Sequence, residues 1–236
     1  RVGPVEAGPE GAEVMAGRLE VAFDATGAAE AGSRGRVVAV VDVVDAATSA
    51  EAALAAGAVG VLGAAPADVE VPVEVRPEAV AARAVALAKL HETAVVVVAE
   101  PRVASHEERV QRAAPVIGAL EAADVGFEVV PNQGAGLPGL VKLEGRVVIV
   151  VSAAGGVAFD AALAAGAPAV CFATTARIVG MTGWEVTQLG ARRAIELAKQ
   201  NGSGLTVVAA SSNATDDFLG AFEIARTVVS EGFLRP

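Results

Sequence analysis

The chain carries the same strand–helix–strand unit twice. Residues 37–66 read VVAVVDVVDAATSAEAALAAGAVGVLGAAP, and residues 147–176 read VVIVVSAAGGVAFDAALAAGAPAVCFATTA. Each copy has an apolar run, a polar turn, an Ala-Ala-Leu-Ala-Ala-Gly-Ala helix end and a second apolar run. Leu54 matches Leu163, while Gly57 and Gly166 fall where a C′ glycine closes a helix. The packing residues are shared and the turns are not: Asp42-Val-Val-Asp45-Ala-Ala-Thr48-Ser49 stands against Ser152-Ala-Ala-Gly155-Gly156. That contrast predicts one scaffold carrying one composite site. In parallel α/β sheets, ligands lie beyond the carboxyl ends of the strands, which is where both turns fall.

The rest of the chain extends the pattern. Strands are expected over 18–23, 37–44, 58–63, 94–99, 127–130, 146–152, 168–174 and 204–210. Helical periodicity covers 48–57, 77–91, 106–122, 156–165, 184–200 and 215–231. Runs such as VVAVV, AVVVVA and VVIVV do not alternate in polarity, which marks strands buried on both faces. Strand, helix and strand in succession predict right-handed crossovers. The expected class is α/β: a single three-layer α/β/α domain over residues 1–236, with a mainly parallel sheet, some antiparallel pairing allowed, and two similar βαβ-containing halves. Thr48 with Glu51, and Ser105 with Glu108, have capping-box spacing. The stretches 64–76 and 131–145 read as loops. The second contains Gly134-Ala-Gly136-Leu-Pro138-Gly139, which fits a dinucleotide fingerprint only in spelling, because Pro138 interrupts it and no helical pattern follows. A flexible loop over the site is the better expectation.

Composition narrows the function. A net charge of −10 argues against a general nucleic-acid surface, which needs a positive stripe. It leaves room for a small anion held by backbone N–H groups. The single Cys171 lies in an apolar run, so it reads as a small buried hydrophobe in a reducing, cytoplasmic setting. No membrane span or secretory signal is evident. The first residue is Arg1, so an initiator is expected upstream. His91 and His106 have no ligand-type spacing and read as surface or cap residues, and Trp184 reads as a packing residue.

Four features could carry chemistry. Asp42 ends the strongest strand run, where a charge is expensive unless paired or bound to a metal. Asp45 follows it; a carboxylate there either helps hold Mg²⁺ or merely favours the helix N-terminus, and the residues alone leave both open. Asp216 and Asp217 begin the last helix after Ser211-Ser212-Asn213, and since neighbours on a helix point about 100° apart, one of them is expected to face the site. Gly155-Gly156 follows a buried strand, so its backbone could approach a phosphate.

Taken together, these segments resemble the Mg²⁺-dependent 2-phosphosulfolactate phosphatase (ComB) family, which acts in coenzyme M biosynthesis. The family's D-V-L-R-A-T-S-T is similar to Asp42-Val-Val-Asp45-Ala-Ala-Thr48-Ser49. Its G-E-R resembles Glu100-Pro101-Arg102, and its G-F-D-x-G-N-S-P resembles Gly126-Phe127-Glu128-Val-Val-Pro-Asn132. Its T-T-N-G-T turn corresponds to residues 152–156, and its A-G-x-x-G with a following acidic pair corresponds to Ala210-Ser211 and Asp216-Asp217. The chain departs from the family where the motif arginine is Asp45, where Asn and Thr of the turn are Ala154 and Gly156, and where the final glycines are absent. The resemblance implies catalytic roles for Asp42, Asp45, Glu100 and Asp217, and Mg²⁺ held by Asp42, Asp217 and Asp216. It implies substrate contacts from Thr48, Ser49, Arg102, Asn132, Ser152, Gly155, Gly156 and Ser211. The implied partner is a small phosphorylated hydroxy acid, with no nucleic acid and no membrane, and a homodimer is left open. The alternatives are a non-catalytic relative that binds a small anion or a protein, and an enzyme of another class on the same scaffold.

Overall fold

A computed structural model describes residues 17–234, so residues 1–16 and 235–236 of the expected domain lie outside the described residues. All eight expected strands are present: β1 (Leu19–Phe23), β2 (Val37–Val41), β3 (Gly60–Ala64), β4 (Val95–Ala99), β5 (Phe127–Pro131), β6 (Val147–Val151), β7 (Val170–Ala173) and β8 (Leu205–Ala209). The helices are α1 (Asp24–Ser33), α2 (Ala46–Ala55), α3 (Pro77–Leu90), α4 (His106–Arg112), α5 (Ala114–Ala122), α6 (Gly155–Ala164), α7 (Gly183–Gln200) and α8 (Thr215–Ser230). The protein is α/β, with two four-stranded sheets ordered β1-β8-β2-β7 and β3-β6-β4-β5. Every pairing between these strands is parallel.

The repeat explains this order. β2, β3 and β4 begin at Val37, Gly60 and Val95, and β6, β7 and β8 begin at Val147, Val170 and Leu205, in each case 110 residues later. Exchanging β1–β4 with β5–β8 turns one sheet order into the other. The duplication therefore spans the whole described chain. The two strands of each repeat do not share a sheet: β2 and β7 pair in one, β3 and β6 in the other. α2 and α6 thus pass between the sheets rather than over one face. Each sheet with the helices on its two faces is a three-layer α/β/α unit, and the two units share their inner helical layer.

That inner layer dictates the composition. Residues 46–53 of α2 and 155–162 of α6 are buried on every side, so these helices have no solvent face, and their few polar side chains, such as Ser49, Glu51 and Asp160, are satisfied internally. Only small residues let two sheets close on them. A Cβ on Gly156 would sit 2.2 Å from the Ala64 carbonyl oxygen, and one on Gly32 would sit 2.4 Å from that of Ala162. Strand residues alternate between layers: Val38, Val40, Val148 and Val150 face inward. Val37, Val41 and Val207 meet α7 and α8, while Val95, Val97 and Ile149 meet α3 and α5. Phe159 and Phe172 stack with ring centroids 4.9 Å apart within the inner core.

Local expectations fare unevenly. Gly57 and Gly166 close α2 and α6 at φ +88° and +99°, as their spacing requires. Ser105 and Glu108 form their capping box, and Thr182 with Glu185 forms another that the sequence reading missed. The Thr48–Glu51 box does not form. α2 starts at Ala46, Thr48 lies inside it, and Glu51 is committed to a buried ion pair with Arg193. The expected helix 106–122 is two helices, broken at Ala113 ahead of Pro115, which has no N–H to continue the ladder. α1 was not anticipated, being short and interrupted by Gly27 and Gly32. Within 131–145 a 3₁₀ turn covers Gly134–Gly139, and Leu137 is fully buried in the inner core, so this segment is anchored. Both histidines are exposed. Cys171 is buried, and that burial pushes its thiol up to about 12, leaving it inert at neutral pH. Trp184 is half exposed with the Arg226 guanidinium 5.8 Å from its ring, so it packs against a side chain at the surface rather than in the core.

Candidate active site

Because the strands of each sheet run parallel, the residues that follow them gather at one end. Asp42 follows β2 and is almost fully buried; its Oδ2 accepts the Gly155 N–H across the repeat at 2.7 Å. Asp217, on the first turn of α8, accepts the Val43 N–H at 2.8 Å. Glu100 follows β4 and accepts from Ala153 N–H at 3.3 Å and from Asn132 Nδ2 at 3.0 Å. Burial is the main reason all three carboxyls lie above the ordinary range, and their mutual repulsion adds to it. Asp42 is pushed up to about 7 by burial and then by Glu100. Asp217 is pushed up to about 7 by burial and then by Asp42. Glu100 is raised by burial, with Asp45 contributing. Among the described residues none of the three forms a salt bridge to Lys or Arg.

Beside them stands a guanidinium. Arg102 pairs with Asp45 and donates from Nε to the Asn132 carbonyl at 3.0 Å. Gly134 lies against this pair: a Cβ there would be 3.5 Å from Asp45 Oδ1 and 3.7 Å from Arg102 Nη2. Asp45, the acid of the turn after β2, is thus held by a guanidinium that reaches it from the turn after β4.

The remaining expected residues are also here, largely as internal struts. Thr48 donates to the Val43 carbonyl at 2.6 Å and lies 3.0 Å from the Thr174 hydroxyl. Ser49 donates to Asn132, and Asn132 also accepts from the Gly134 N–H. The Ser152 hydroxyl accepts the Gly156 N–H at 2.8 Å. The N–H groups of Gly155 and Gly156, expected to face a phosphate, are therefore engaged by Asp42 and Ser152. Both glycines are also demanded by packing, since a Cβ on Gly155 would meet Asp42 Oδ2 at 2.6 Å. Ser211 is half-buried and accepts the Asn213 N–H. Asp216 is exposed while Asp217 is buried, so Asp217 is the member of the pair that faces the site. Thr174 was missed, although it follows an apolar strand run just as Asp42 does.

Among the described residues no three Asp, Glu, His or Cys side chains are disposed as a ready metal cage. The donor set still suits Mg²⁺, which commonly takes one or two carboxylates and completes its shell with water and substrate oxygens. Carboxyls that burial holds away from water, with no salt bridge among the described residues, are the charge environment such a cation neutralises. No helix among the described residues is long and apolar enough to cross a membrane. No protein-family model matches the chain, and no curated protein matches it.

Proposed function

We propose that the chain is a Mg²⁺-dependent phosphatase that hydrolyses a small phosphorylated hydroxy acid, working in the cytoplasm without nucleic acid or membrane. The supporting observation is the convergence of buried Asp42 and Asp217 with half-buried Glu100, carboxyls that form no salt bridge among the described residues, beside the Arg102 guanidinium. Asp42 and Asp217 would hold Mg²⁺, which when bound supplies Lewis-acid polarisation of the phosphoryl oxygens. Arg102 would bind the phosphate through the guanidinium edge not used by Asn132, with Asp45 yielding its ion pair. Glu100, raised above the ordinary carboxylate range and held by Asn132 and Ala153, would take the proton of the attacking water on a carboxylate oxygen. Thr48, Ser49, Asn132 and Thr174 would hold the turn bearing Asp42 and Asp45 in register with the 3₁₀ turn.

One observation favours a second reading, a non-catalytic relative that binds a small anion or a protein: the ion pair with Asp45 already occupies the Arg102 guanidinium. Phosphate release from a panel of phosphorylated hydroxy acids, with and without Mg²⁺, separates the two. Turnover that needs Mg²⁺ and disappears in Asp42→Asn supports the enzyme. Absence of release across the panel, with Asp45→Arg equally silent, supports the binding protein.

A further inference from the structure

The duplication that builds the fold also builds the strand-end site twice. Counting from the ends of equivalent elements, Asn132 after β5 corresponds to Asp24 after β1, and Gly134 to Thr26. Glu100 and Arg102 after β4 correspond to Ala210 and Ser212 after β8. Asp45 and Thr48 at α2 correspond to Ala154 and Val157 at α6. In the first set the side chains fill the space themselves: Asp45 pairs with Arg102, and Asn132 bridges Arg102 and Glu100. The second set has lost both charges of the ion pair, the glutamate and the bridging amide. The six counterparts Asp24, Thr26, Ala154, Val157, Ala210 and Ser212 all line one cavity of about 250 Å³. The volume falls just below the ~300–1,000 Å³ typical of drug-sized sites, so it suits a smaller molecule.

We propose that this cavity is a second ligand site, which takes a small organic ammonium ion with an apolar body. Its walls include Val71, Pro72 and Val157, which offer contact to hydrocarbon. Asp24 is the charged residue of the lining, and among the described residues no Lys or Arg lines the cavity to compete for it. Asp24 Oδ1 accepts the Thr26 and Gly27 N–H groups, and Oδ2 accepts nothing from the described residues. A primary ammonium donates to that free oxygen, while the Thr26 and Ser212 hydroxyls remain for its other protons. Ala153, on the cavity wall, donates its N–H to Glu100, and Asp217 lies beyond Ser211, so the nearby charged groups are carboxyls. The electrostatics therefore favour a cation and disfavour the anion proposed for the other site.

Calorimetric titration with 2-phenylethylammonium, its neutral counterpart 2-phenylethanol and the anionic 3-phenylpropanoate tests this. The ammonium is expected to bind at least tenfold more tightly than the alcohol, and the acid not at all. Asp24 has φ +54°, a conformation asparagine tolerates, so Asp24→Asn retains the turn and removes the charge. It should weaken the ammonium at least tenfold without affecting the alcohol. Ser212→Arg, at an exposed position, restores the guanidinium of the duplicate and should pair with Asp24 and exclude the ammonium. Equal affinity for ammonium and alcohol, no binding of either, or ammonium binding retained in both variants would overturn the proposal.

Discussion

Replacing Asp42 by asparagine should stabilise the metal-free protein at pH 8 and fail to do so at pH 4. Asp42 is 2% exposed, and its carboxyl is raised from an ordinary 3.8 to about 7. At about 1.4 kcal/mol per pH unit, that rise corresponds to about 4 kcal/mol of extra ionisation cost in the folded state. Between pH 4 and 7 the folded protein keeps a proton that the unfolded chain has released, so stability falls as pH rises through this window. Below pH 4 both states are protonated and the difference vanishes. Asparagine is neutral throughout, and its amide oxygen can still accept the Gly155 N–H. Its new N–H₂ lacks an assigned acceptor, a loss of ~1–3 kcal/mol. The net gain at pH 8 is then about 1–3 kcal/mol, or a rise of roughly 2–12 °C in Tm for a domain of this size. Thermal unfolding in the presence of a chelator, at both pH values, measures it. An Asp42→Asn protein less stable than the parent at pH 8, or equally shifted at pH 4 and pH 8, would show that the carboxyl is not held against its ionisation.

Other outcomes follow from the packing and from the ion pair. Phe159→Ala should destabilise by ~3–5 kcal/mol in chemical denaturation, because it empties the space stacked on Phe172 between the sheets. Gly156→Ala should cost on the order of 3 kcal/mol or more, since the new Cβ meets backbone at 2.2 Å; a neutral result would refute the tight closure of the inner layer. Asp45→Arg removes the partner that occupies Arg102 and adds a second guanidinium. It should tighten inorganic phosphate about tenfold to a hundredfold by calorimetry, which is ~1–3 kcal/mol; unchanged affinity would place the anion elsewhere.

Much of the fold is legible in the sequence because buried parallel strands announce themselves. Runs such as Val37–Val41 and Val147–Val151 have no polar face, and Gly57 and Gly166 mark helix ends wherever the helices go. The division of each repeat between two sheets was hidden, since an apolar strand carries no sign of which neighbour it pairs with. The clue lay in α2 and α6, whose mostly small residues fit a helix enclosed on all sides rather than one lying on a single sheet. In the site, Asp42 stood out as a charge at the end of a valine run. The Arg102–Asp45 pair could not be read from sequence, as it joins residues 57 apart through the ends of two different sheets. The Thr48 capping box failed because tertiary structure assigned Glu51 to Arg193.

Titration of Mg²⁺ into the chelator-stripped protein at pH 8 bears most directly on the proposed centre. Asp42 and Asp217 as the holding pair should give one saturable site, weakened at least tenfold in Asp42→Asn and again in Asp217→Asn, with Asp216→Asn unchanged. Absence of Mg²⁺ binding in the parent, or binding indifferent to Asp42 and Asp217, would contradict a metal at this site.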